Sequence, residues 1–213
     1  MRGDILIIDD NHRKAAAEVV KIIFSEIEKS NKKFVISVAG ESGAGKSEIA
    51  ASIAEVLEKK GLKCFIFQQD DYFVYPPKTN AKTREKDINW VGVKEVKLDL
   101  IDEELKMIGE GQTKIEKPLV IFEEDRIDKE TVDLADADVI IVEGTYTTAL
   151  KNIDQKVFID RNLFDTKASR LKRNREKQDE YLEKILTIEH EIISAHKALA
   201  DVIITKDYNA IKL

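Results

Sequence analysis

Residues 40–47 read Gly-Glu-Ser-Gly-Ala-Gly-Lys-Ser and fit the pattern G-x-x-x-x-G-K-[ST] at every fixed position. Glycines let such a loop turn tightly, so that successive backbone N–H groups point inward at phosphate oxygens. The helix that follows adds the partial positive charge of its N-terminus at the same place. In this pattern Lys46 reaches the β- and γ-phosphates, and the hydroxyl of Ser47 binds Mg²⁺. The loop residues predicted to bind the nucleotide are Gly40, Glu41, Ser42, Gly43, Ala44, Gly45, Lys46 and Ser47.

The sequence on both sides of this loop supplies the strand and the helix that the pattern requires. Residues 34–39 form a short apolar run rich in β-branched residues, which is typical of a buried parallel strand. Apolar residues then recur at helical spacing after the loop, at Ile49, Ile53 and Leu57. We therefore predict a strand over 34–39 and a helix over 46–60. A glycine-rich turn without a ligand would not require Lys and Ser at its end.

The composition excludes several classes of protein. A chain of 213 residues suits one domain, or one domain with a small appended lid, and a hydrophobic content of 43% is enough for a core. The net charge of −6 argues against a general nucleic-acid binder, because such proteins present a basic face. No apolar run approaches about 18 residues, so we expect no membrane span.

The single cysteine, Cys64, and the N-terminus bear on localisation. One cysteine forms no internal disulfide and fits a reducing compartment. The first residues lack an apolar block of the length that a signal peptide has. We therefore expect a cytoplasmic protein, and the sequence leaves open whether it forms a homo-oligomer.

Predicted strands and helices alternate along the chain, which favours an α/β class with a mostly parallel sheet covered by helices on both faces. The predicted strands cover 34–39, 63–68, one or two within 113–122 around Pro118, 139–142, 156–159 and 202–205. The predicted helices cover 46–60, 100–109 and 170–198, and residues 70–97 are expected to form a long connection. Together with the loop, this order predicts the P-loop NTPase fold with a helical lid near 161–180.

Residues 1–33 are expected to form an N-terminal extension, with an edge strand over 5–8 and a helix over 11–30. Its apolar positions trace one helical face, and we assign no chemistry to it. His12 is expected to lie on the surface near the start of this helix. The main domain is then predicted to span 34–213.

Acidic residues follow two of the predicted strands. Asp70 and Asp71 come just after the strand over 63–68, and Glu143 ends the strand over 139–142. In open parallel sheets the ligand crevice lies beyond the carboxyl ends of the strands. A carboxylate there accepts a proton from an attacking hydroxyl or helps to hold Mg²⁺. Adjacent residues point in different directions, so we expect only one of the two aspartates in the site.

Arginines are concentrated in the predicted lid. The chain has eight arginines, and three of them lie within residues 170–175. Helical spacing places Arg170 and Arg173 on one face, where they would stabilise charge on a transferring phosphoryl group. The alternative is a solvated helix whose arginines pair with Glu176 and Glu180.

The order of these segments resembles the uridine kinase and phosphoribulokinase family of P-loop kinases, which includes nicotinamide riboside kinases. The resemblance covers about residues 34 to 205. Besides the loop, it rests on a Gln-Asp-Asp-aromatic-aromatic stretch at 69–73, on Asn89-Trp90, on Glu143-Gly144, on the arginine-rich lid and on the Ala-Asp-Val-Ile-Ile run at 200–204.

This resemblance implies an ATP-dependent kinase that transfers the γ-phosphoryl group to a hydroxyl of a small molecule, with nucleosides and related sugar compounds as expected acceptors. It implies ATP and Mg²⁺ as cofactors, with Ser47 and Glu143 at the metal. Asp70 matches the general base, Lys46 the phosphate-binding lysine, and Arg170 and Arg173 the lid arginines. The expected substrate-binding residues are Asp71, Tyr72, Phe73, Trp90 and Arg126.

Three departures from the family pattern concern the acceptor. Val91 stands where the nucleoside kinases of the family have an Asp that holds the sugar hydroxyls. Residues 122–126 contain no His where those kinases carry one. The lid motif Arg173-Asn174-Arg175-Glu176 also lacks the two-residue gap that the family has before its last arginine. The kinase core is therefore predicted, and the identity of the acceptor stays open.

Three alternatives to a small-molecule kinase were considered. A GTPase switch needs an Asp-x-x-Gly element and an [NT]-K-x-D element, and the chain has neither. An ATP-binding or ATPase regulatory protein without an acceptor stays open. A toxin-like kinase of a sugar-nucleotide or of a nucleic-acid end also stays open, although the negative charge disfavours the nucleic-acid version.

Overall fold

A six-stranded sheet forms the centre of the protein, in the strand order β2-β5-β1-β6-β7-β8. The computed structural model describes residues 6–173 and 179–213. The strands of this sheet are β1 (Phe34–Gly40), β2 (Cys64–Gln68), β5 (Val139–Glu143), β6 (Gln155–Ile159), β7 (Val202–Ile204) and β8 (Ala210–Lys212). A separate antiparallel hairpin consists of β3 (Lys114–Ile121) and β4 (Arg126–Asp133).

The first five strands of the sheet are parallel, and only the edge strand β8 runs antiparallel, to β7. β1 and β5 are buried along their whole length, as expected for strands that helices cover on both sides. The predicted α/β class with the P-loop NTPase arrangement is confirmed.

Helices cover both faces of this sheet. The described α-helices are α1 (Asp10–Lys29), α2 (Lys46–Glu58), α3 (Pro77–Lys86), α4 (Leu98–Gly109), α5 (Lys167–Arg173) and α6 (Glu180–Ile193), and of these α1, α2 and α4 pack on the sheet. On one face, Ile36 and Val38 of β1 pack with α1 and α2. On the other face, Val35 and Ala39 of β1 pack in a cluster that includes Ile101, Leu105 and Ile108 of α4. Successive residues of β1 therefore alternate between two separate cores.

Several boundaries differ from the sequence prediction. Residues 113–122 contain one continuous strand, because Pro118 lies in a hairpin strand that pairs on one side only. β4 was not predicted, because its alternating polar residues resemble a loop, and the connection over 70–97 contains α3. The predicted helix over 170–198 is divided between α5, α6 and a short 3₁₀ turn over 194–199, and residues 174–178 lie outside the described part.

The N-terminal segment contributes to the main core. Ala15, Val19 and Ile23 of α1 belong to the same cluster as the buried residues of α2. Residues 6–8 form no strand, so the predicted edge strand is absent from the described residues of that segment. The expectation that His12 is a surface residue was wrong, because His12 is 8% exposed. The division at residue 33 stays a prediction.

None of the helices within residues 6–173 and 179–213 combines the length and the apolar character needed to cross a lipid bilayer.

A buried hydrogen bond between Tyr72 and Glu104 connects α4 to the segment after β2. The hydroxyl of Tyr72 donates to Glu104, 2.5 Å away, and both side chains are almost fully buried. Burial raises the pKa of Glu104 to about 7, although the hydrogen bond from Tyr72 and the charge of Lys117 act in the opposite direction. Glu104 is therefore protonated in the folded protein over a pH range in which the unfolded chain has lost that proton.

We predict that this pair makes stability depend on pH. Below about pH 4 Glu104 is protonated in both states, whereas between about 4 and 7 only the folded state keeps the proton. The contribution of Glu104 to the free energy of unfolding therefore falls as the pH rises from about 4 to about 7, and it is lowest above about pH 7. Glu104→Gln should remove this loss of stability. In urea unfolding, the free energy of unfolding of the variant relative to that of wild type should be roughly 1 to 2 kcal/mol higher at pH 8 than at pH 5.

Glu28→Gln, on the exposed part of α1, is the matched control and should show no such trend. A difference between Glu104→Gln and wild type that stays constant from pH 5 to pH 8 would contradict the assignment.

Candidate functional site

The carboxyl ends of three neighbouring strands bring the predicted site residues together. Glu143, the last residue of β5, lies opposite Val38 of β1 on one side and Gln68 of β2 on the other. The phosphate loop leaves β1 two residues after Val38, and Asp70 follows β2 two residues after Gln68. This register places the loop, Glu143 and Asp70 at one edge of the sheet.

The loop itself has the backbone needed to hold phosphates. Gly43 and Gly45 have φ values of +80° and +95°, in the left-handed region that favours glycine. Gly45 is the N-cap of α2 and offers no side chain to the first turn, so the N-terminus of α2 faces the loop without a side-chain cap. The Lys46 ammonium donates to the carbonyl of Glu41, 3.1 Å away, which holds it across the loop.

The electrostatics of Glu143 show that four predicted residues converge. Glu143 is 4% exposed, and burial together with the negative charge of Asp70 raises its pKa to about 7. The charge of Lys46 and a hydrogen bond with Ser47 act in the opposite direction. Ser47, Lys46, Asp70 and Glu143 are therefore neighbours, with more negative than positive charge among them.

Asp70 and Asp71 have different environments, as expected for adjacent residues. Asp70 is exposed. Asp71 is buried, accepts from the backbone N–H of Val120 at 3.0 Å and forms an ion pair with Lys117 at 2.9 Å. Asp71 therefore connects β3 to the segment that follows β2, and the expectation that it binds substrate stays a prediction.

The other predicted substrate residues lie in different places. Tyr72 is 0% exposed, donates to Glu104 and belongs to the hydrophobic core on the α4 face of the sheet. Phe73 is half-buried and bridges to Val96. Trp90 is half-buried, and its ring lies 5.4 Å from that of Tyr75.

Arg126 lies at the start of β4, exposed, in ion pairs with Glu124 and Asp128 at 2.9 and 2.7 Å. Nothing in these contacts links Arg126 to the phosphate loop.

Of the two lid arginines, Arg170 packs directly on the phosphate loop. A Cβ at Gly43 would lie 2.7 Å from Cγ of Arg170, so Gly43 makes room for this side chain. Arg170 is 8% exposed and donates to the carbonyl of Leu163 and to the hydroxyl of Thr166. Arg173 ends α5, and its side chain lies outside the described part of the chain.

Two residues next to the acidic groups fit closely together. The side chain of Gln69 accepts from the backbone N–H of Tyr146 at 2.7 Å and lies against Gly144. A Cβ at Gly144 would lie only 2.2 Å from Cβ of Gln69. Position 144 therefore requires glycine, because a larger residue would overlap the side chain of Gln69.

A polar network that was missed in the sequence connects the loop to α6 and α3. The hydroxyl of Ser42 donates to Glu189 of α6 at 3.0 Å, and Glu189 also accepts from Arg84 of α3 at 3.4 Å. Arg84 in turn holds Glu95 through two of its nitrogens. Charged residues on helices are usually solvated, so no local signal distinguishes these from surface residues.

Histidines from both ends of the chain also reach the loop. Nδ1 of His190, next to Glu189 on α6, lies 2.6 Å from Oε1 of Glu41. The ring of His12 lies so close to Gly45 that a Cβ there would be 2.9 Å from Nε2. Burial lowers the pKa of His12, and nearby carboxylates, Asp9 first, oppose this effect.

A cavity of about 390 Å³ lies away from this site, between the amino end of β1 and α4. Val35, Leu105 and Asp154 are among its lining residues. We place the site at the opposite, carboxyl edge because the charged groups and the loop converge there.

The donor set at this edge fits a nucleotide with Mg²⁺. Mg²⁺ takes oxygen ligands and keeps near-octahedral geometry, using few protein groups together with phosphates and water. Ser47 and the buried Glu143 supply such oxygens beside an excess of negative charge. Within residues 6–173 and 179–213 no three His, Cys, Asp or Glu side chains are grouped to hold a metal by themselves.

Comparison with known proteins agrees with this geometry. The model of the phosphoribulokinase / uridine kinase family matches residues 35–204. The chain belongs to this family. It is an ATP-dependent kinase that phosphorylates a hydroxyl group of a small molecule.

Two curated relatives illustrate the range of the family. The uridine kinase of Ureaplasma parvum serovar 3 (strain ATCC 27815 / 27 / NCTC 11736) is 30% identical over 158 residues, which cover 72% of this chain and 74% of the relative. The bifunctional alpha-galactosidase/sucrose kinase AgaSK of Mediterraneibacter gnavus is 26% identical over 189 residues, or 82% of this chain. The match covers only 20% of that longer protein.

Among solved structures, a possible uridine kinase from Bacillus stearothermophilus superposes with a TM-score of 0.65 at 20% identity. The match covers 90% of this chain and 97% of the other, and at this identity it supports the fold alone.

We predict that Gly144→Ala disrupts the site. The added Cβ would overlap Gln69, so the loops that carry Glu143 and Asp70 must separate. The variant should lose about 2 kcal/mol or more in urea unfolding, and its kinase turnover should fall together with stability.

Gly109→Ala is the matched control, because no atom lies within 4 Å of a Cβ at Gly109. Its stability should stay within about 1 kcal/mol of wild type. Equal losses in the two variants would show that the contact between Gln69 and Gly144 is unimportant.

Proposed function

We propose that this kinase transfers the γ-phosphoryl group of ATP to a hydroxyl of a nucleoside or a related sugar compound, with Asp70 as the general base. The observation that supports this most directly is the convergence of Lys46, Ser47, Asp70 and Glu143 at one edge of the sheet. A phosphate loop alone would serve any nucleotide-binding protein, whereas an exposed carboxylate beside it supplies a proton acceptor for transfer.

The donor half of the proposed site consists of the loop and the lid. The backbone N–H groups of residues 40–47 and the N-terminus of α2 would hold the phosphates of ATP. Lys46 would neutralise charge on the β- and γ-phosphates, and Arg170 and Arg173 would stabilise the charge on the transferring group. The packing of Arg170 on Gly43 supports this role, because it keeps the start of α5 beside the loop.

Ser47 and Glu143 would hold Mg²⁺, which supplies charge neutralisation between the phosphates when it is bound. The burial of Glu143 supports this role. A carboxylate in a poorly solvated position gains more from a neighbouring cation than an exposed carboxylate does.

Asp70 would take the proton of the acceptor hydroxyl while the oxygen attacks the phosphoryl group. Its exposure supports this assignment, because an acceptor can reach Asp70 but not the buried Asp71. Closure of the lid would exclude water, which otherwise competes as an acceptor.

The acceptors named for the two curated relatives, uridine and sucrose, both carry sugar hydroxyls. This shared chemistry supports a sugar-bearing acceptor for the present chain. Val91 is 5% exposed and holds no sugar hydroxyl, so other residues would have to recognise the sugar. The single cysteine supports a reducing compartment, and we propose a cytoplasmic location.

We predict that Asp70→Asn retains ATP binding and loses phosphoryl transfer. Removal of the base should lower kcat by about 10²-fold or more while the Kd for ATP changes little. Lys46→Ala should instead impair both, because Lys46 contacts the nucleotide in every state. ADP release with an acceptor and equilibrium titration with ATP measure the two effects.

Asp207→Asn, an exposed aspartate in the turn before β8, is the control and should behave as wild type. Wild-type turnover in Asp70→Asn would exclude Asp70 as the base. ATP hydrolysis that no acceptor stimulates would favour a regulatory ATPase instead.

A further inference from the structure

Two consecutive residues of α6 contact two consecutive residues of the phosphate loop. The hydroxyl of Ser42 donates to Glu189 at 3.0 Å, and Nδ1 of His190 lies 2.6 Å from Oε1 of Glu41. Glu41 is the only acidic residue of the loop sequence, and it occupies a variable position of the loop pattern. The pattern itself therefore gives no reason for a carboxylate here.

A carboxylate at position 41 opposes the binding of a polyphosphate. Glu41 is 6% exposed, so water screens its charge poorly. Its backbone carbonyl accepts from the ammonium of Lys46 at 3.1 Å, which places Glu41 next to the lysine that is expected at the β- and γ-phosphates. Carboxylates are negatively charged at neutral pH. Without a neighbouring cation, Glu41 would repel the phosphates that the loop is expected to hold.

His190 is the basic side chain that faces this carboxylate. Among the side chains that the structure describes, no lysine or arginine forms an ion pair with Glu41, whereas His190 is within ion-pair distance. The ammonium of Lys46 bonds to the backbone of Glu41 and leaves the carboxylate to His190.

The contact between His190 and Glu41 separates geometry from charge. A carboxylate only accepts hydrogen bonds, so Nδ1 of His190 carries the hydrogen of this bond whether the ring is neutral or charged. Loss of the proton at Nε2 therefore leaves the contact in place and removes its positive charge. The side chain of His190 is 37% exposed, so protons from solvent reach it.

The other charged groups beside this pair belong to α6 and α3. Glu189 lies 3.4 Å from Arg84, and Arg84 also bonds to Glu95 through two of its nitrogens. Burial raises the pKa of Glu189, and the charge of Arg84 opposes this effect. Arg84 is therefore engaged by these two carboxylates, and His190 is left as the partner of Glu41.

We propose that His190 is a positioning residue for ATP, whose imidazolium neutralises Glu41 and so allows the start of the phosphate loop to accept the phosphates. This inference rests on the proposed function, because it takes residues 40–47 as the ATP site. It goes further by assigning a role in ATP binding to a residue 149 positions from its partner in the chain. Histidine changes charge between about pH 5 and 8, so the affinity for ATP should fall when His190 loses its proton.

The first test measures the Kd for ATP with Mg²⁺ at pH 6 and at pH 8.5 by equilibrium titration of the full chain. His190→Gln keeps a hydrogen-bond donor toward Glu41 and removes the positive charge. This variant should bind ATP about five- to tenfold more weakly than wild type at pH 6 and equally well at pH 8.5. ATP, His12 and Glu189 also change charge with pH, but they are common to both proteins and cancel in the comparison.

Equal weakening of ATP binding at both pH values would show that His190 has a structural role alone. No weakening at either pH would show that its charge is unimportant. Each of these results overturns the inference and leaves the kinase intact. Failure of the wild-type chain to bind ATP at either pH would overturn the proposed function as well.

The second test removes the carboxylate. The double variant Glu41→Gln/His190→Gln carries no charge at either position, so it should bind ATP about five- to tenfold more tightly than His190→Gln at both pH values. Glu41→Gln alone should bind ATP more tightly than wild type at pH 8.5, where wild type holds a carboxylate without a cation, and this measurement does not require His190→Gln to fold. Failure of either substitution to tighten binding would overturn the inference.

His196→Gln is the matched control. His196 lies in the 3₁₀ turn after α6, and its Nδ1 contacts the hydroxyl of Thr148 at 2.9 Å. Its Kd for ATP should follow that of wild type at both pH values. A loss at pH 6 as large as that of His190→Gln would show that removal of any histidine has this effect, and it would overturn the assignment to His190 and Glu41.

Discussion

The parallel pairing of β1 with β5 and β6 is the constraint on which the rest of the structure depends. β1 hydrogen-bonds on both sides, and its alternate residues build two cores, with α1 and α2 on one face and α4 on the other. Because neighbouring strands run in the same direction, their carboxyl ends meet at one edge. The phosphate loop, Asp70 and Glu143 share that edge for this reason.

The charge at this edge favours the binding of a cation beside Glu143. Glu143 is buried beside Asp70, and both the lost hydration and the like charge make its ionised form unfavourable. The charge of Lys46 and the hydrogen bond with Ser47 favour the ionised form of Glu143, but they offset these two effects only in part. The Mg²⁺ that we propose at Ser47 and Glu143 would lower this cost, because a cation offsets the negative charge of both carboxylates.

The phosphate loop and the neighbouring acidic residues could be predicted from the sequence, whereas the polar network behind the loop could not. The phosphate loop and the strand-end acids carry their chemistry in a short stretch next to a buried strand. Arg84, Glu189 and Tyr146 come from segments far apart in the chain, and each looks locally like a solvated helix or loop residue. No signal in the sequence indicated that Asp71 and Tyr72, which follow Asp70 directly, connect β3 and α4 to the core.

The sequence by itself determined the fold class, the phosphate loop and the carboxylates at the strand ends, because hydrophobic periodicity and loop chemistry are local properties. Only the tertiary structure decided that His12 is buried against the loop, that Ser42 is bonded to Glu189, and that Arg84 pairs with both Glu95 and Glu189. These relations depend on how α1, α3 and α6 pack around the sheet, and such packing is set by contacts between residues far apart in the chain.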